Sequence, residues 1–177
     1  NCIALQHTHQ DSKKYSEYLH AQLLILDDME GPSLFLAKKQ LQPFKKKVVL
    51  SVEGNTSLDI SHLPGLEVKD IFSWGKHLVF QFEDFAIRIH FLLFGTYEAQ
   101  VEGKWVTGDY RKARVPRLSL TFDNGQINMY NCSIKFVESK HAKKEYDFTI
   151  DVMSRKWDAV KVRKLVKNFP EEEISDV

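Results

Sequence analysis

The chain has 177 residues, 43% hydrophobic, 28% charged and 12% aromatic, with eight Gly and five Pro. These proportions exclude collagen-like, low-complexity and disordered chains and describe one ordinary globular domain, long enough to bury about two-thirds of its unfolded surface. Two cysteines, Cys2 and Cys132, make no disulfide framework and cannot complete a four-ligand zinc site. The longest apolar runs, such as 91–95 and 23–26, are far too short to span a bilayer, and no signal peptide opens the chain.

The net charge of +1 hides a segregation. Residues 1–28 carry two bases against four acids, and the last eight residues add four acids and no base. Between Met29 and Phe169 that leaves 23 bases and 16 acids, a surplus of +7. The bases cluster at Lys45-Lys46-Lys47, at Arg111-Lys112 with Arg114 and Arg117, at Lys143-Lys144, and from Arg155 to Lys167. Such a body suits a polyanion, because each phosphate contact releases counterions; a merely solvated surface is the competing explanation.

In chain order, residues 1–28 are polar to about Tyr15 and then helix-like through Tyr18, Leu19, Leu23, Leu24 and Leu26. They read as an extension, or as the product of a start codon placed too early. His7, His9 and His20 lack Cys or carboxylate neighbours at metal-ligand spacing. Pro32 suits the first turn of a helix whose apolar face is Leu34, Phe35, Ala37 and Leu41, ended by Pro43. Strands follow. Val48 to Val52 closes at Gly54-Asn55, Leu66 to Phe72 alternates, and 78–82 with 86–91 form a hairpin around Glu83-Asp84. A second hairpin, 117–122 with 126–130, turns at Asp123-Asn124-Gly125. Short strands without crossover helices predict an antiparallel sandwich or barrel. A closing helix is expected behind Ser154 as N-cap, with Trp157, Val160, Leu165 and Phe169 at helical spacing before Pro170. Residues 171–177 read as the start of another helix.

Four stretches, in order and register, carry a resemblance. Met29-Glu30-Gly31-Pro32 before a short helix resembles the amino-terminal motif of the formamidopyrimidine-DNA glycosylase and endonuclease VIII family. Trp74-Gly75-Lys76-His77-Leu78 resembles the family's Gly-Lys hairpin. Ile87 to Gly95 is similar to the strand and loop that enter DNA, and Pro116-Arg117-Leu118 through Cys132 to later strands of some members. The resemblance covers about residues 29–177. It implies a mainly β fold with flanking helices (α+β), an antiparallel β-sandwich of the DNA glycosylase amino-terminal type. Residues 29–150 would be the sandwich, and 151–177 the closing helix and the beginning of a linker.

The resemblance also implies activity: excision of oxidised bases from damaged double-stranded DNA, then cleavage of the abasic strand by lyase chemistry. The nucleophile would be the amine at Met29, where the family usually has proline, forming a Schiff base with the sugar. A chain terminus suits this, since an α-amino group has a pKa of about 7.7–8.0 and lysine about 10.4, so far more of it is neutral at pH 7. Glu30 would protonate the opening sugar and Lys76 would sit at the scissile phosphate. Leu92, Leu93 and Phe94 would fill the gap left by a flipped nucleotide, in a loop more like endonuclease VIII, which points to oxidised pyrimidines. His90 and Arg117 are further candidate DNA contacts. Taken singly, these residues have other uses. Glu30 also suits a helix N-terminus. Lys76 could be a surface charge, Leu92 to Phe94 ordinary core, and Arg88 with His90 a satisfied pair on one strand face.

Three departures bear on activity. Twenty-eight residues precede Met29, and an internal peptide nitrogen is no nucleophile. The position is Met rather than Pro, with Ser33 where many members have a second glutamate. The chain ends before the family's helix–two-turn–helix segment and zinc finger, and no Cys cluster replaces them, so neither metal nor cofactor is expected. A monomer is expected, without membrane contact, in the cytoplasm at a bacterial nucleoid or in a eukaryotic nucleus. The alternative is a non-catalytic DNA-binding module or inactive fragment. An RNA binder fits less well, as no aromatic RNP-like stretch is present.

Overall fold

A computed structural model describes residues 29–107 and 115–168. The helical reading of 15–26, the histidines at 7, 9 and 20, the 111–114 basic cluster and everything from Phe169 onward lie outside the described residues.

Helix α1 (Gly31–Gln40) begins where Pro32 can sit without losing a hydrogen bond. Leu34, Ala37 and Leu41 return to one side at helical spacing and are completely buried. Phe35 lies at the rim of this face, with the ammonium groups of Lys38 and Lys39 4.4 and 4.5 Å from its ring centroid. Pro43 falls in a 3-10 turn (Gln42–Phe44) that places Phe44 in the core.

Seven strands form one antiparallel hydrogen-bonded sheet: β1 (Ser51–Glu53), β2 (Asp70–Trp74), β3 (His77–Gln81), β4 (Ala86–Val101), β5 (Lys104–Thr107), β6 (Leu118–Phe122) and β7 (Gly125–Val137). The order is β1-β6-β7-β4-β3-β2, with β5 on the far half of β4. The mainly β architecture with flanking helices is therefore the one that forms. Both predicted hairpins are present, and Gly125 is required at the second: with φ +147, an added Cβ would stand 1.8 Å from the Gln100 carbonyl oxygen.

Several boundaries differ from the sequence pattern; of 66–72 only the end joins β2, which runs on to Trp74. Of 48–52 only the end joins β1, while Val48 makes an isolated bridge to Glu67. Strands β4 and β7 run on to Val101 and Val137, and β5 with its Glu102-Gly103 turn was not signalled. The alternation breaks at 92–95, which in sequence resembles a strand end, but the ladder with β7 resumes beyond it.

The two halves of β4 and β7 line one core. Ile87, Ile89, Phe91 and Ile134 enter it from one half, and Tyr97, Ala99, Ile127 and Met129 from the other. On the opposite face of the first half, Phe72, Val79 and Ala86 meet Ala142, Tyr146 and Phe148 of the returning chain in a second, small cluster. Helix α2 (Ala159–Asn168) then leaves the body. Its cap is Asp158, whose Oδ1 accepts the amides of Val160 and Lys161 at 2.9 and 3.1 Å. The predicted Ser154 cap is displaced: Ser154 Oγ accepts the Lys156 amide in a preceding turn at 3.0 Å, because the Asx geometry at Asp158 lies nearer the helix.

Candidate active site and nucleic-acid interface

Met29 is buried in the core, which fixes the chain as it enters α1. Glu30 follows at the N-cap in extended backbone. Its amide donates to Ser33 Oγ at 3.2 Å, and its carbonyl accepts the Leu34 amide at 2.8 Å. From the other direction, Gly75 (φ +52) turns β2 into β3 and leaves Lys76 at the corner. The two elements meet. Lys76 Nζ lies 2.9 Å from Glu30 Oε1, joining residues far apart in sequence. A Cβ on Gly31 would lie 3.7 Å from Met153 Cγ and 3.9 Å from the Gly75 carbonyl, so the returning chain closes one side of this junction. The paired side chains are 61% and 49% exposed. An ion pair so open to water contributes about 0–1 kcal/mol, so it is readily exchanged for another anion and is not what holds the fold.

His90 stands beside the turn. Its Nδ1 is 3.2 Å from the Lys76 carbonyl oxygen, which can only accept, so the imidazole donates from Nδ1. Two residues on, β4 departs from its ladder. Phe91 pairs with Cys132 and Thr96 with Tyr130, so Leu92–Gly95 face Asn131 alone. The bulge is held by backbone geometry: Phe94 and Asn131 adopt φ of 60° and 46°, and Asn131 Nδ2 donates to the Leu93 carbonyl at 2.6 Å. Gly95 is required for close approach, since a Cβ there would fall 2.5 Å from the Asn131 carbonyl oxygen. The bulge lifts Leu92, Leu93 and Phe94 out of the core to 46%, 66% and 59% exposure, an apolar prong of three large side chains.

The structure thus brings together Met29, Glu30, Lys76 and His90, and presents Leu92, Leu93 and Phe94 as exposed side chains rather than core. Arg117 stands apart. Its guanidinium donates to the Asn55 carbonyl and its amide to the Met129 carbonyl, and no contact joins it to Glu30 or Lys76 among the described residues. Arg88 and His90 share a face of β4 but are not a bonded pair, since His90 is engaged by Lys76.

Sequence reasoning passed over Asn131 and Met153, which carry no chemistry of their own, and the cross-strand neighbours His77 and Lys135. Cys132 is buried, and its burial pushes the thiol up to about 12, so it offers no nucleophile. No group of three or more His, Cys, Asp or Glu that could hold a metal occurs among the described residues, and none of their helices is long and apolar enough to cross a membrane.

Solved structures share this fold. A viral DNA glycosylase superposes over 83% of this chain and 62% of its own, with a TM-score of 0.62 and 14% identity. Lactococcus lactis formamidopyrimidine-DNA glycosylase, bound to DNA containing an abasic site, covers 78% of this chain and 57% of its own, at TM-score 0.58 and 15% identity. MutM in complex with DNA containing carbocyclic 8-oxo-G gives 0.57 and 16% over the same shares. The fold is that of the formamidopyrimidine-DNA glycosylase amino-terminal domain. The chain spans about three-fifths of the length of these structures. No protein-family profile and no curated protein sequence matches it.

Proposed function

We propose that this chain carries the catalytic domain of a base-excision DNA glycosylase with abasic-strand lyase activity, acting on oxidised bases and, from its prong, on oxidised pyrimidines. The observation that carries the reading is the Glu30–Lys76 pair, 2.9 Å apart beside Met29, in a fold shared with DNA glycosylases.

The roles are those the family resemblance implies, and the Glu30–Lys76 geometry supports them. When Met29 heads the chain, its amine is the nucleophile that bonds to the sugar carbon as the damaged base leaves. Glu30, the adjacent residue, supplies a proton to the sugar oxygen as the ring opens. Lys76 binds the phosphate on the 3′ side of that sugar. Its weak hold on Glu30 matters here, because a phosphate competing for the ammonium frees the carboxyl group for proton transfer. Leu92, Leu93 and Phe94 enter the vacated stack and restore part of the few kcal/mol that base extrusion costs.

Borohydride trapping tests the reading. A protein beginning at Met29, mixed with abasic duplex and borohydride, is expected to form a covalent adduct that is lost when its α-amine is blocked. Salt-dependent DNA binding with no adduct, where a proline-headed homologue is trapped, overturns it in favour of a non-catalytic DNA-binding module.

A further inference from the structure

Behind Lys76, on the sheet face away from the main core, lies a shallow recess of about 210 Å³ lined by His77, Arg88, His90, Ser133 and Lys135. Register explains its composition. His77 pairs with His90 and His90 with Ser133 in one row across β3, β4 and β7, while Arg88 pairs with Lys135 in the next row. Strand rise separates the rows by about 7 Å. Among the described residues, no carboxylate pairs with Arg88, Lys135 or either imidazole, and His77 Nδ1 is buried without a hydrogen-bond partner. Four nitrogen-bearing side chains and a hydroxyl, with no counter-charge, form a place where like charges are held together at a cost that a bound anion removes.

We propose that this recess is a second phosphate subsite, holding a backbone phosphate of the DNA that flanks the one at Lys76, with Arg88 and Lys135 as its charged donors and His77 and Ser133 as hydrogen-bonding walls. The proposal rests on the DNA reading of the Glu30–Lys76 site but not on its chemistry. His90 joins the two places: its ring centroid is 5.6 Å from that of His77, and its Nδ1 is tied to the Lys76 backbone. A strand of DNA tracking across the corner of β3 therefore meets Lys76 and then the recess. The imidazole of His77 reports occupancy. Burial, then Arg88, His90 and Lys135, push it down to about 4; the other ring packed on it is Trp74, stacked at 6.3 Å. An anion seated among those cations reverses their effect and raises it.

Two measurements decide the matter. In an imidazole-resolved NMR titration of the whole chain, inorganic phosphate is expected to move the His77 titration upward by about one pH unit, and not in Arg88→Gln/Lys135→Gln. On a short undamaged duplex, the same double variant is expected to bind about tenfold more weakly at low salt, with the log–log salt slope shallower by about 1; Arg88→Lys/Lys135→Arg keeps both near the parent values. An unmoved His77, or a duplex affinity and slope equal to the parent's in the charge-deleted protein, overturns the subsite. Neither readout needs strand cleavage. A failed trapping experiment therefore leaves this result standing, and loss of the subsite leaves the trapping result intact.

Discussion

Two basic regions of the molecule invite comparison, and the larger is the weaker candidate for binding DNA. A groove of about 930 Å³ runs beside β2 and the returning chain, lined by Lys69, Lys140, Lys143, Lys144, Lys156 and His141 among others. Most of its charge is already spent. Lys69 lies 3.4 Å from Glu67 and 3.3 Å from Glu83, Lys140 lies 2.9 Å from Asp84, and Asp70 holds Lys45 at 2.7 Å and Lys143 at 2.9 Å. Asp70 shows the consequence: burial opposes its ionisation, but Lys45 and Lys143 outweigh burial and hold its carboxyl below the usual range. In the recess the balance runs the other way: burial first and then the neighbouring cations lower His77, and no acid is among its lining residues. Counting lysines would choose the groove. The share already neutralised chooses the recess: carboxylates hold three of the groove's five lysines, whereas among the described residues none pairs with Arg88 or Lys135, and unpaired cations are the ones that release counterions when a phosphate arrives.

The widest separation between the two regions is expected in DNA affinity. Leu93→Ala/Phe94→Ala, at the prong that follows His90 on β4, should weaken binding to an abasic duplex about tenfold by fluorescence anisotropy, since each exposed side chain loses its place in the stack. Its melting temperature should stay unchanged, because neither side chain is buried. Lys140→Ala in the groove, whose ammonium is already held by Asp84, should alter the same affinity by less than about twofold. Equal losses from both changes would erase the contrast.

A smaller effect distinguishes the regions by stability. Asp70→Asn leaves two lysines facing each other and should cost about 1 kcal/mol in denaturant unfolding. Arg88→Gln should be neutral or stabilising, because it relieves repulsion that only a ligand repays. Loss of stability in Arg88→Gln would mean that the recess is held together by contacts rather than strained by charge.

The last contrast is in pH. Folded His77 stays neutral to about 4, while in the unfolded chain it protonates near its ordinary 6.5. Between these values the unfolded state binds more protons, so stability falls as pH drops from about 6.5 to about 4 and then levels off. Asp70 acts lower: its contribution is complete above the ordinary carboxylate value of 3.8 and is lost as pH falls beneath it. Unfolding curves at graded pH should show the upper window vanish in His77→Gln while the lower one remains.

Much of this was legible in the chain. The Pro32 start of α1, the apolar positions 34, 37 and 41, and the Asp123-Asn124-Gly125 turn depend on neighbours a few residues away, and each formed where the pattern put it. The Glu30, Lys76 and Leu92–Phe94 segments were visible as motifs. Their meeting was not, because it depends on a Gly75 turn packing against the head of α1. The bulge at 92–95 misled the reading of strand length, since a broken alternation looks the same whether a ladder ends or steps aside. Lys135 carried no local signal at all; it matters only because β7 lies beside β4 in one particular register.

The sequence by itself determined the elements and the charges, since helix starts, turns and alternation arise from backbone sterics over short spans. Tertiary structure decided which charges are neutralised and which stand alone. That is a matter of distance between strands, and no reading along the chain measures it.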